Sequence, residues 1–308
     1  MNTSKLFDVI IIGAGPAGLS AAIYTGRAKL NTLVLEKSIP GGQILMTDWV
    51  ENYPGFPEGV APFTLVEDFR KQADKFGAEI EAAEVNRVDK KDNKWLIICG
   101  EREYLTHTLI IATGSNYRKL EVQGEKELTG RGVSYCATCD GAFFRDKIVG
   151  VAGGGSFALT EAVFLTKFAR EVKLIHRRPQ FRGEKILQER VARNDKISLL
   201  LDTVIEKING GEKLESLTIK NVKTNKVSEL RLDGIFISVG MEPNTGFLSS
   251  LLDLNEKGEI VVTKGMATSK PGIYAAGDVT DACSKQVATA VGSGVEAAIA
   301  ADKYIENM

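Results

Sequence analysis

Residues 7–18 have the sequence Phe-Asp-Val-Ile-Ile-Ile-Gly-Ala-Gly-Pro-Ala-Gly, and this stretch decides the fold. The largely apolar run before the glycines shows no alternation and predicts a parallel strand that is buried on both faces. Gly13, Gly15 and Gly18 follow it, and a stretch of helical composition continues to about Arg27. A strand, a glycine turn of this spacing and a helix predict a βαβ unit that binds the phosphates of a dinucleotide at the helix N-terminus.

The same arrangement returns later in the chain. Residues 147–152 predict a strand, Gly153-Gly154-Gly155-Ser156-Phe157-Ala158 forms the turn, and a helix is predicted to about Phe168. The ends of the two following strands, at Glu36 and His176, are 140 positions apart, as are Gly13 and Gly153. Two copies with one internal spacing predict an α/β protein with two Rossmann-like dinucleotide-binding domains.

The domain organisation follows from the remaining strand-like runs. Residues 109–114 and 235–240 end in similar glycine turns, which predicts that the chain crosses between domains near both. Gly277-Asp278 and a helix from about Ser284 to Glu306 are predicted to rejoin the first domain. We therefore predict a discontinuous domain of residues 1–117 and 246–308, with a domain of residues 118–245 inserted into it.

The composition excludes several classes of protein. The net charge of −1 gives no general attraction to nucleic acid or to an anionic membrane, and no apolar run reaches the length of a membrane span. The start of the chain, Met1 to Phe7, lacks the apolar segment of a signal peptide, so we expect a cytoplasmic protein. Four cysteines and two histidines, with one short cysteine pair, give no pattern for a metal site.

The residues at the ends of the second strands predict which nucleotide each domain binds. Glu36 lies 18 residues after Gly18, where a carboxylate can bind ribose hydroxyls. The matching position of the second copy carries His176 and a cluster of arginines that can bind a 2′-phosphate, which favours NADPH over NADH. The alternative is a solvated basic surface. The arginines concerned are Arg177, Arg178 and Arg182.

An enzyme rarely needs two nicotinamides, so the first domain is assigned FAD. Gly41-Gly42-Gln43 follows the second strand in a turn that can approach a flavin, and Gly277-Asp278 places a carboxylate that can bind ribitol hydroxyls. The helix after that motif can direct its positive N-terminus at the ring on which reduction accumulates negative charge.

Cys136-Ala137-Thr138-Cys139-Asp140 lies between the two glycine turns. A pair with this spacing is either a redox disulfide or half of a zinc site, and the lack of further ligands disfavours zinc. A position at a helix start would lower the pKa of a thiol and so favour the reactive thiolate. Asp140 is a candidate proton donor and acceptor for dithiol exchange, with an ordinary helix-capping aspartate as the alternative.

Over essentially its whole length the chain closely resembles the low-molecular-weight bacterial thioredoxin reductases. Of the motifs that carry the resemblance, the most specific is the cysteine block, because related disulfide reductases have their cysteine pair in the FAD domain. The motifs are Gly13-x-Gly15-x-x-Gly18, Gly41-Gly42-Gln43, Val50-Glu51-Asn52-Tyr53-Pro54-Gly55, Cys136-Ala-Thr-Cys139-Asp140-Gly141, His176-Arg177-Arg178-x-x-x-Arg182 and Gly277-Asp278-Val279.

The resemblance implies a homodimeric enzyme that oxidises NADPH through FAD and reduces the disulfide of thioredoxin or a similar protein, with the NADPH domain rotating between half-reactions. It implies that Cys139 faces the flavin, that Cys136 attacks thioredoxin and that Asp140 is the acid/base. The residues assigned to FAD are Gly13, Gly15, Pro16, Ala17, Gly18, Glu36, Lys37, Gly41, Gly42, Gln43, Asn52, Gly277, Asp278, Gln286, Val287 and Ala288. Those assigned to NADPH are Gly153, Gly155, Ser156, Ala158, His176, Arg177, Arg178 and Arg182.

Two departures from the family pattern concern the electron donor. Phe157 stands where the family commonly has a small hydroxyl residue, so its ring either crowds the pyrophosphate or points into the core. Ser284-Lys285-Gln286 replaces the usual Tyr-Arg-Gln. The alternatives are therefore a related flavoenzyme with ferredoxin or NADH as donor, or with an atypical thioredoxin-like partner. A peroxide-reducing flavoprotein and a non-catalytic FAD-binding sensor are more distant rivals.

Overall fold

The structure, a computed structural model, describes residues 5–308. Residues 1–4, which formed part of the argument against a signal peptide, lie outside the described residues. The strands are Leu6–Ile12 (β1), Thr32–Glu36 (β2), Glu79–Ala82 (β3), Arg87–Lys91 (β4), Lys94–Cys99 (β5), Arg102–Ile111 (β6), Ser115–Tyr117 (β7), Val133–Ser134 (β8), Ile148–Gly153 (β9), Glu171–Ile175 (β10), Ile197–Leu200 (β11), Thr203–Gly210 (β12), Leu214–Asn221 (β13), Val227–Arg231 (β14), Gly234–Ser238 (β15), Met241–Pro243 (β16) and Ile273–Ala275 (β17).

The α-helices are Pro16–Arg27 (α1), Pro62–Lys75 (α2), Glu125–Leu128 (α3), Ala137–Asp140 (α4), Ser156–Leu165 (α5), Lys185–Ala192 (α6) and Val287–Glu306 (α7). Short 3-10 helices span Gly42–Met46, Gly141–Phe144, Gly246–Leu248, Lys264–Met266 and Gly277–Val279. Two helix limits differ from the sequence prediction. α5 ends at Leu165 rather than near Phe168, and α7 begins at Val287 rather than near Ser284, because Gln286 caps it.

The chain divides into two compact units, one of residues up to 116 together with 242–308 and the other of residues 117–241. We call them the outer unit and the inserted unit. The chain passes between them within β7, at 116/117, and again within β16, at 241/242. The assignment of one cofactor to each unit stays a prediction.

The outer unit is built on a seven-stranded sheet in the order β3-β2-β1-β6-β5-β4, with β17 also pairing with β6. β3, β2, β1, β6 and β17 are parallel, whereas β4 and β5 form an antiparallel extension on the first half of β6. β1 therefore lies between β2 and β6, where the strand order reverses. In open α/β sheets this switch point is where ligands bind, outside the carboxyl ends of the strands.

The inserted unit repeats that arrangement. Its sheet has the order β11-β10-β9-β15-β8, and every pair in it is parallel. β9 lies between β10 and β15, as β1 lies between β2 and β6. A separate antiparallel meander, β12-β13-β14, packs its apolar face into the same unit. The second glycine turn therefore also lies at a switch point of its sheet.

Burial on both faces explains the apolar runs that precede the turns. Val9 and Ile11 of β1 belong to one core cluster of the outer unit, and Phe7 and Ile10 belong to the cluster on the other face of the sheet. All four side chains are at most 1% exposed. Burial of a side chain of this size contributes about 1.5–3 kcal/mol. The strand is thus fixed at the centre of the sheet, with its carboxyl end at the glycine turn.

Candidate active site

The first glycine turn uses its three glycines in two different ways. Gly13 has φ +105°, and a Cβ there would lie 2.3 Å from the carbonyl oxygen of Ala112. A Cβ on Gly18 would lie 1.8 Å from the oxygen of Gly13. A Cβ on Gly15 would come no closer than 3.9 Å to any atom, the oxygen of Gly41. The outer glycines are required by packing, whereas the middle one leaves open space before the N-terminus of α1, as a bound phosphate requires.

The Glu36 carboxyl lies beside this turn at the end of β2. The Ala14 N–H donates to its Oε2 (2.8 Å) and the Ser38 N–H to its Oε1 (2.9 Å). These two bonds hold the side chain against the glycine turn, and each oxygen keeps a lone pair for a further donor. The neighbouring Lys37 is exposed, and Pro16 and Ala17 form the first residues of α1.

The Gly41-Gly42-Gln43 turn closes over the first glycine turn. The Gly41 N–H donates to the Ala14 oxygen (2.8 Å), and a Cβ on Gly42 would lie 3.4 Å from the Cα of Gly15. The Gln43 Nε2 donates to the carbonyl oxygen of Ser115 (3.0 Å). Within residues 5–308, the buried Oε1 of Gln43 and Oγ of Ser115 have no hydrogen-bond partner. Orphaned polar atoms beside a nucleotide-type turn fit a bound polar ring.

Gly277-Asp278 also reaches the first turn. Gly277 has φ +78°, and a Cβ there would lie 2.9 Å from the Cβ of Ala17 in α1. The Gly277 N–H donates to the Oγ of Ser293 (2.9 Å). Burial raises the pKa of Asp278, and the charge of Lys285 opposes that effect. A largely desolvated carboxyl at this place is suited to hydrogen-bond a hydroxyl group of a ligand.

The structure brings two further predicted residues together. The Asn52 Nδ2 donates to the Oε1 of Gln286 (3.0 Å), although the two residues are 234 positions apart. The Gln286 side chain also caps α7 in a capping box with Thr289, and Val287 and Ala288 open the helix. The Lys285 Nζ, which stands where the family has an arginine, is instead bonded to Glu259 (3.1 Å). Its charge is therefore partly neutralised.

The second glycine turn repeats the division of roles found in the first. Gly153 has φ +156°, and a Cβ there would lie 2.3 Å from the oxygen of Ser238. A Cβ on Gly154 would collide with the imidazole of His176 at 2.3 Å. Around Gly155 no atom lies within 4 Å of such a Cβ. Ser156 opens α5 and Ala158 is fully buried, so this turn also keeps open space before its helix.

His176 and the three arginines differ in their surroundings. His176 is 6% exposed, and its ring lies 5.5 Å from that of Phe181. Burial lowers the pKa of His176, so the ring is neutral at neutral pH. No ion pair involves an arginine of the cluster within the part of the chain that the structure describes. These exposed arginines are Arg177, Arg178 and Arg182, and their free guanidinium groups fit an anionic ligand.

Phe157 does not fill the space before the second turn. Its ring stacks on that of Tyr117, with centroids 5.4 Å apart and an interplanar angle of 30°. Of the two possibilities for this ring, the structure therefore has it packed on an aromatic neighbour of the same unit. Gly155 keeps its open surroundings.

Cys136 and Cys139 form a disulfide, with Cα atoms 5.4 Å apart. Cys136 is the N-cap residue of α4, and the Cys139 N–H donates to its Sγ (3.1 Å). Cys136 is 7% exposed, whereas Cys139 is exposed. A backbone N–H directed at sulfur stabilises a thiolate, so the local geometry favours Cys136 as the anionic member of the reduced pair.

Asp140 ends α4 and points back toward the strand before the pair. The Ser134 Oγ donates to its Oδ2 (2.7 Å), and the Cys136 N–H donates to the same Ser134 oxygen (3.1 Å). The Asp140 side chain makes no helix-capping hydrogen bond. The alternative of a capping aspartate is therefore wrong, and Ser134 links the carboxyl to the backbone of the redox pair.

The sequence analysis missed Glu161, whose carboxyl accepts a hydrogen bond from the Ala137 N–H (2.9 Å) and another from the Ser238 hydroxyl. A signal for it was present, because Glu161 interrupts the apolar stripe of α5 at 158, 162 and 165. A carboxylate on such a stripe is seldom buried without a specific partner.

The other cysteines and the remaining polar clusters add no second centre. Cys99 is 5% exposed and burial raises the pKa of its thiol to about 11, as for a small buried apolar residue. Among residues 5–308, no group of three or more His, Cys, Asp or Glu side chains is arranged to bind a metal ion. No helix in this described range combines the length and the apolar character needed to cross a bilayer.

A protein-family model described as pyridine nucleotide-disulphide oxidoreductase matches residues 7–294. Thioredoxin reductase from Bacillus subtilis (strain 168) is 44% identical over 312 residues, covering 100% of this chain and 98% of the relative. The crystal structure of Lactococcus lactis thioredoxin reductase (FR conformation) has a TM-score of 0.96 and 42% identity, covering 98% of this chain and 100% of that one. Thioredoxin reductase from T. acidophilum has a TM-score of 0.93 and 35% identity, with coverages of 97% and 99%.

These matches extend over the whole chain and confirm both the resemblance and the fold class of two Rossmann-like domains that the sequence predicted. The conclusion agrees with the two switch-point turns and with the disulfide of the inserted unit. The chain belongs to the pyridine nucleotide-disulphide oxidoreductase family and, within it, to the thioredoxin reductases.

Proposed function

We propose that the protein reduces the disulfide of thioredoxin with electrons from NADPH, with FAD in the outer unit and Cys136–Cys139 as the redox pair. The observation that carries the proposal is the Cys136–Cys139 disulfide in the same unit as a nucleotide-type turn and three unpaired arginines. The family implies a flavin and a pyridine nucleotide. The thioredoxin reductase names of the relatives support the acceptor.

FAD is proposed for the outer unit because its polar groups fit that molecule. The space at Gly15 receives the pyrophosphate and Glu36 accepts hydrogen bonds from the adenosine ribose. Asp278 accepts from the ribitol, and the free Oε1 of Gln43 accepts an N–H of the ring. A bound flavin supplies the transfer of electron pairs between a nicotinamide and a disulfide. The other proposed contacts are Gly13, Pro16, Ala17, Gly18, Lys37, Gly41, Gly42, Asn52, Gln286, Val287 and Ala288.

NADPH is proposed for the inserted unit because its cationic groups match a 2′-phosphate. Arg177, Arg178 and Arg182 are exposed and unpaired within the described residues, and bidentate binding of a phosphate suits guanidinium groups. Gly155 leaves room for the pyrophosphate at Ser156. The buried His176 shapes the turn by packing against Gly154.

The proposed roles of the redox residues follow from their hydrogen bonds. Cys136 attacks the disulfide of thioredoxin, because the Cys139 N–H stabilises its thiolate. Cys139 then resolves the mixed disulfide, and it is the thiol that faces the flavin in the other half-reaction. Asp140, held by Ser134, gives and takes the proton. Rotation of the inserted unit between half-reactions, a homodimer and a cytoplasmic location stay predictions from the resemblance.

Stopped-flow mixing of oxidised enzyme with NADPH or NADH tests the donor. We expect rapid bleaching of the flavin by NADPH and slow bleaching by NADH. In the double variant Arg177→Ala/Arg178→Ala the NADPH rate at low concentration should fall about 100-fold or more, since two charge-assisted hydrogen bonds of about 1.5–3 kcal/mol each are lost. The NADH rate should stay unchanged. Bleaching by neither nicotinamide, but by reduced ferredoxin, would contradict the proposal and favour the alternative donor.

Cys139→Ser and Cys136→Ser test the acceptor side. Both variants should retain flavin and its reduction by NADPH, and both should lose thioredoxin reduction, because each lacks the disulfide that receives the electron pair. Cys283→Ser is the matched control, since Cys283 lies outside the pair. Thioredoxin reduction that survived in Cys139→Ser would show that the pair is not the route.

A further inference from the structure

Glu161 is a buried carboxyl that the proposed function does not use. It is 3% exposed and lies in the apolar stripe of α5. Burial raises the pKa of Glu161 to about 7, and its two hydrogen bonds oppose that effect. A buried carboxylate without a counter-ion is costly, and none of the basic side chains described here pairs with Glu161. A carboxyl group that is retained despite this unfavourable burial calls for a specific role.

The contacts of Glu161 connect it to the redox pair. Its Oε1 accepts from the N–H of Ala137, which is the peptide directly after Cys136 (2.9 Å). Its Oε2 accepts from the hydroxyl of Ser238, the last residue of β15. The carboxyl thus joins α5, α4 and the end of β15 at the switch point of the inserted sheet.

The groups that face Glu161 leave its charge uncompensated. Tyr117 is close enough for the charge of Glu161 to raise its pKa, in addition to burial, and its hydroxyl has no hydrogen-bond partner among the described residues. On α4 the nearest titratable groups are the cysteines and Asp140, and Asp140 is bonded to Ser134. Reduction of the disulfide therefore creates a thiolate one residue from the peptide that Glu161 holds.

We propose that Glu161 is a positioning residue that fixes the peptide after Cys136 and takes up one of the two protons accompanying reduction of the Cys136–Cys139 disulfide. This inference rests on the proposed function only in that the pair cycles between disulfide and dithiol.

The step balances as follows. A dithiol reductant gives two electrons and two protons, and the S–S bond breaks. One sulfur takes a proton and becomes a thiol, the other stays a thiolate, and the second proton binds the Glu161 carboxylate. The new anion raises the pKa of Glu161 further, because a like charge nearby disfavours the ionised carboxyl. The negative charge in the buried site therefore moves from oxygen to sulfur without increasing.

The equilibrium constant for reduction by dithiothreitol, measured against pH, tests this uptake. The fraction of dithiol is measured by alkylation after acid quenching. Each variant is compared with wild type at the same pH, so the titration of dithiothreitol itself cancels. Glu161→Gln imitates the protonated acid. Below pH about 6 the two constants should agree, and above pH 8 Glu161→Gln should be reduced about tenfold more favourably. Glu189→Gln, an exposed glutamate of α6, should match wild type throughout.

Ser238→Ala provides a second variant that keeps the acid. It removes one hydrogen bond to the carboxylate, so the pKa of Glu161 rises and proton uptake should move to higher pH. The equilibrium constant of Ser238→Ala, divided by that of wild type, should therefore exceed one near pH 7–8 and return to one at higher pH. A flat ratio in both variants from pH 6 to 9 would overturn the inference. If Glu161→Gln fails to fold, the Ser238→Ala profile alone decides.

Infrared difference spectroscopy between the oxidised and the dithiol-reduced holoenzyme reads the proton itself. Near pH 7.5, reduction should produce the band of a protonated carboxylic acid. The band should be absent in Glu161→Gln and present in Glu189→Gln. A band that persists in Glu161→Gln would assign the proton to another acid and refute the role. Neither measurement uses NADPH or thioredoxin. The role of Glu161 is therefore tested independently of the proposed function, even if the donor assays contradict that function.

Discussion

At the scale of single residues, the glycines of both turns fall into two kinds. Gly13, Gly18 and Gly153 are glycines because neighbouring backbone occupies the place of a Cβ. Gly15 and Gly155 have open space at that place. The fold requires the first kind, whereas the second kind leaves room for the proposed nucleotides, so substitutions at the two should have separable effects.

Gly155→Ala should change the free energy of unfolding by less than about 1 kcal/mol, because the φ of −90° at this position suits alanine and no atom lies within 4 Å of the new methyl group. The methyl enters the space proposed for the pyrophosphate, so the KM for NADPH should rise about tenfold or more. Gly153→Ala is the contrast, since its Cβ would lie 2.3 Å from the Ser238 oxygen, and it should lower the thermal midpoint. Equal losses of stability in both would contradict this division.

Phe157→Ser restores the kind of residue usual in the family. Because the ring stacks on Tyr117, the change should lower stability by about 1–3 kcal/mol through lost burial and stacking. The KM for NADPH should change by less than about threefold. Thermal unfolding and steady-state kinetics on the same preparation check both parts. A large fall in KM with unchanged stability would show instead that the ring obstructs the nucleotide.

At the scale of elements, α4, α5 and the end of β15 meet at one buried carboxyl. An unfolded Glu161 titrates near 4.5, whereas the folded state raises its pKa to about 7. The folded state thus binds more protons between these values, and stability linked to this group falls as pH rises. This contribution is fully present below pH 4.5 and is lost above about pH 7.

Glu161→Gln removes that dependence on pH. Relative to the variant, wild type should therefore lose stability between pH 5 and pH 8. The midpoint of thermal unfolding of the oxidised proteins, measured at both pH values, gives the comparison. The exposed Glu189→Gln is the suitable control. Glu171→Gln is not, because hydrogen bonds lower the pKa of Glu171. A difference between wild type and Glu161→Gln that does not change with pH would refute the buried titration.

Local patterns predicted the elements well and their meeting points poorly. The turns at Gly13 and Gly153 are specified within about six residues, so spacing sufficed to predict them. The bond from Gln43 to Ser115 joins residues 72 positions apart, and that from Ala137 to Glu161 joins residues 24 apart. Such contacts depend on how strands are ordered in the sheet, which no local pattern contains. The start of α7 was missed because Gln286 is a less common cap than Ser or Asp.

At the scale of the whole molecule, each unit closes on itself where the chain leaves it. The Arg118 N–H donates to the oxygen of Gly240 (2.9 Å) at the ends of the inserted unit. In the outer unit the Asn244 N–H donates to the oxygen of Gly114 (3.0 Å). Each unit also has its own sheet and its own core clusters.

Residues 117–241 produced alone should therefore fold. The fragment should bind NADPH and not FAD, because the groups proposed for the flavin all lie in the outer unit. Its Cys136–Cys139 pair should be reduced by dithiothreitol with the same pH profile as in the full chain. Circular dichroism, calorimetric titration with each nucleotide and thiol counting provide the measurements. A fragment that remains unfolded would show that the closed ends do not suffice for independent stability.

The adjacent ends of the inserted unit have a consequence for descent as well as for folding. A segment whose two ends are hydrogen-bonded to each other, here through Arg118 and Gly240, can be exchanged between related genes at two cut points without lengthening or straining the host domain. Such an exchange moves the disulfide together with the second glycine turn, whereas the first glycine turn, proposed for FAD, remains in the outer unit. The preference for an electron donor and the chemistry of the acceptor disulfide would then be inherited together. Chimeras of related proteins joined at 116/117 and 241/242 test this directly.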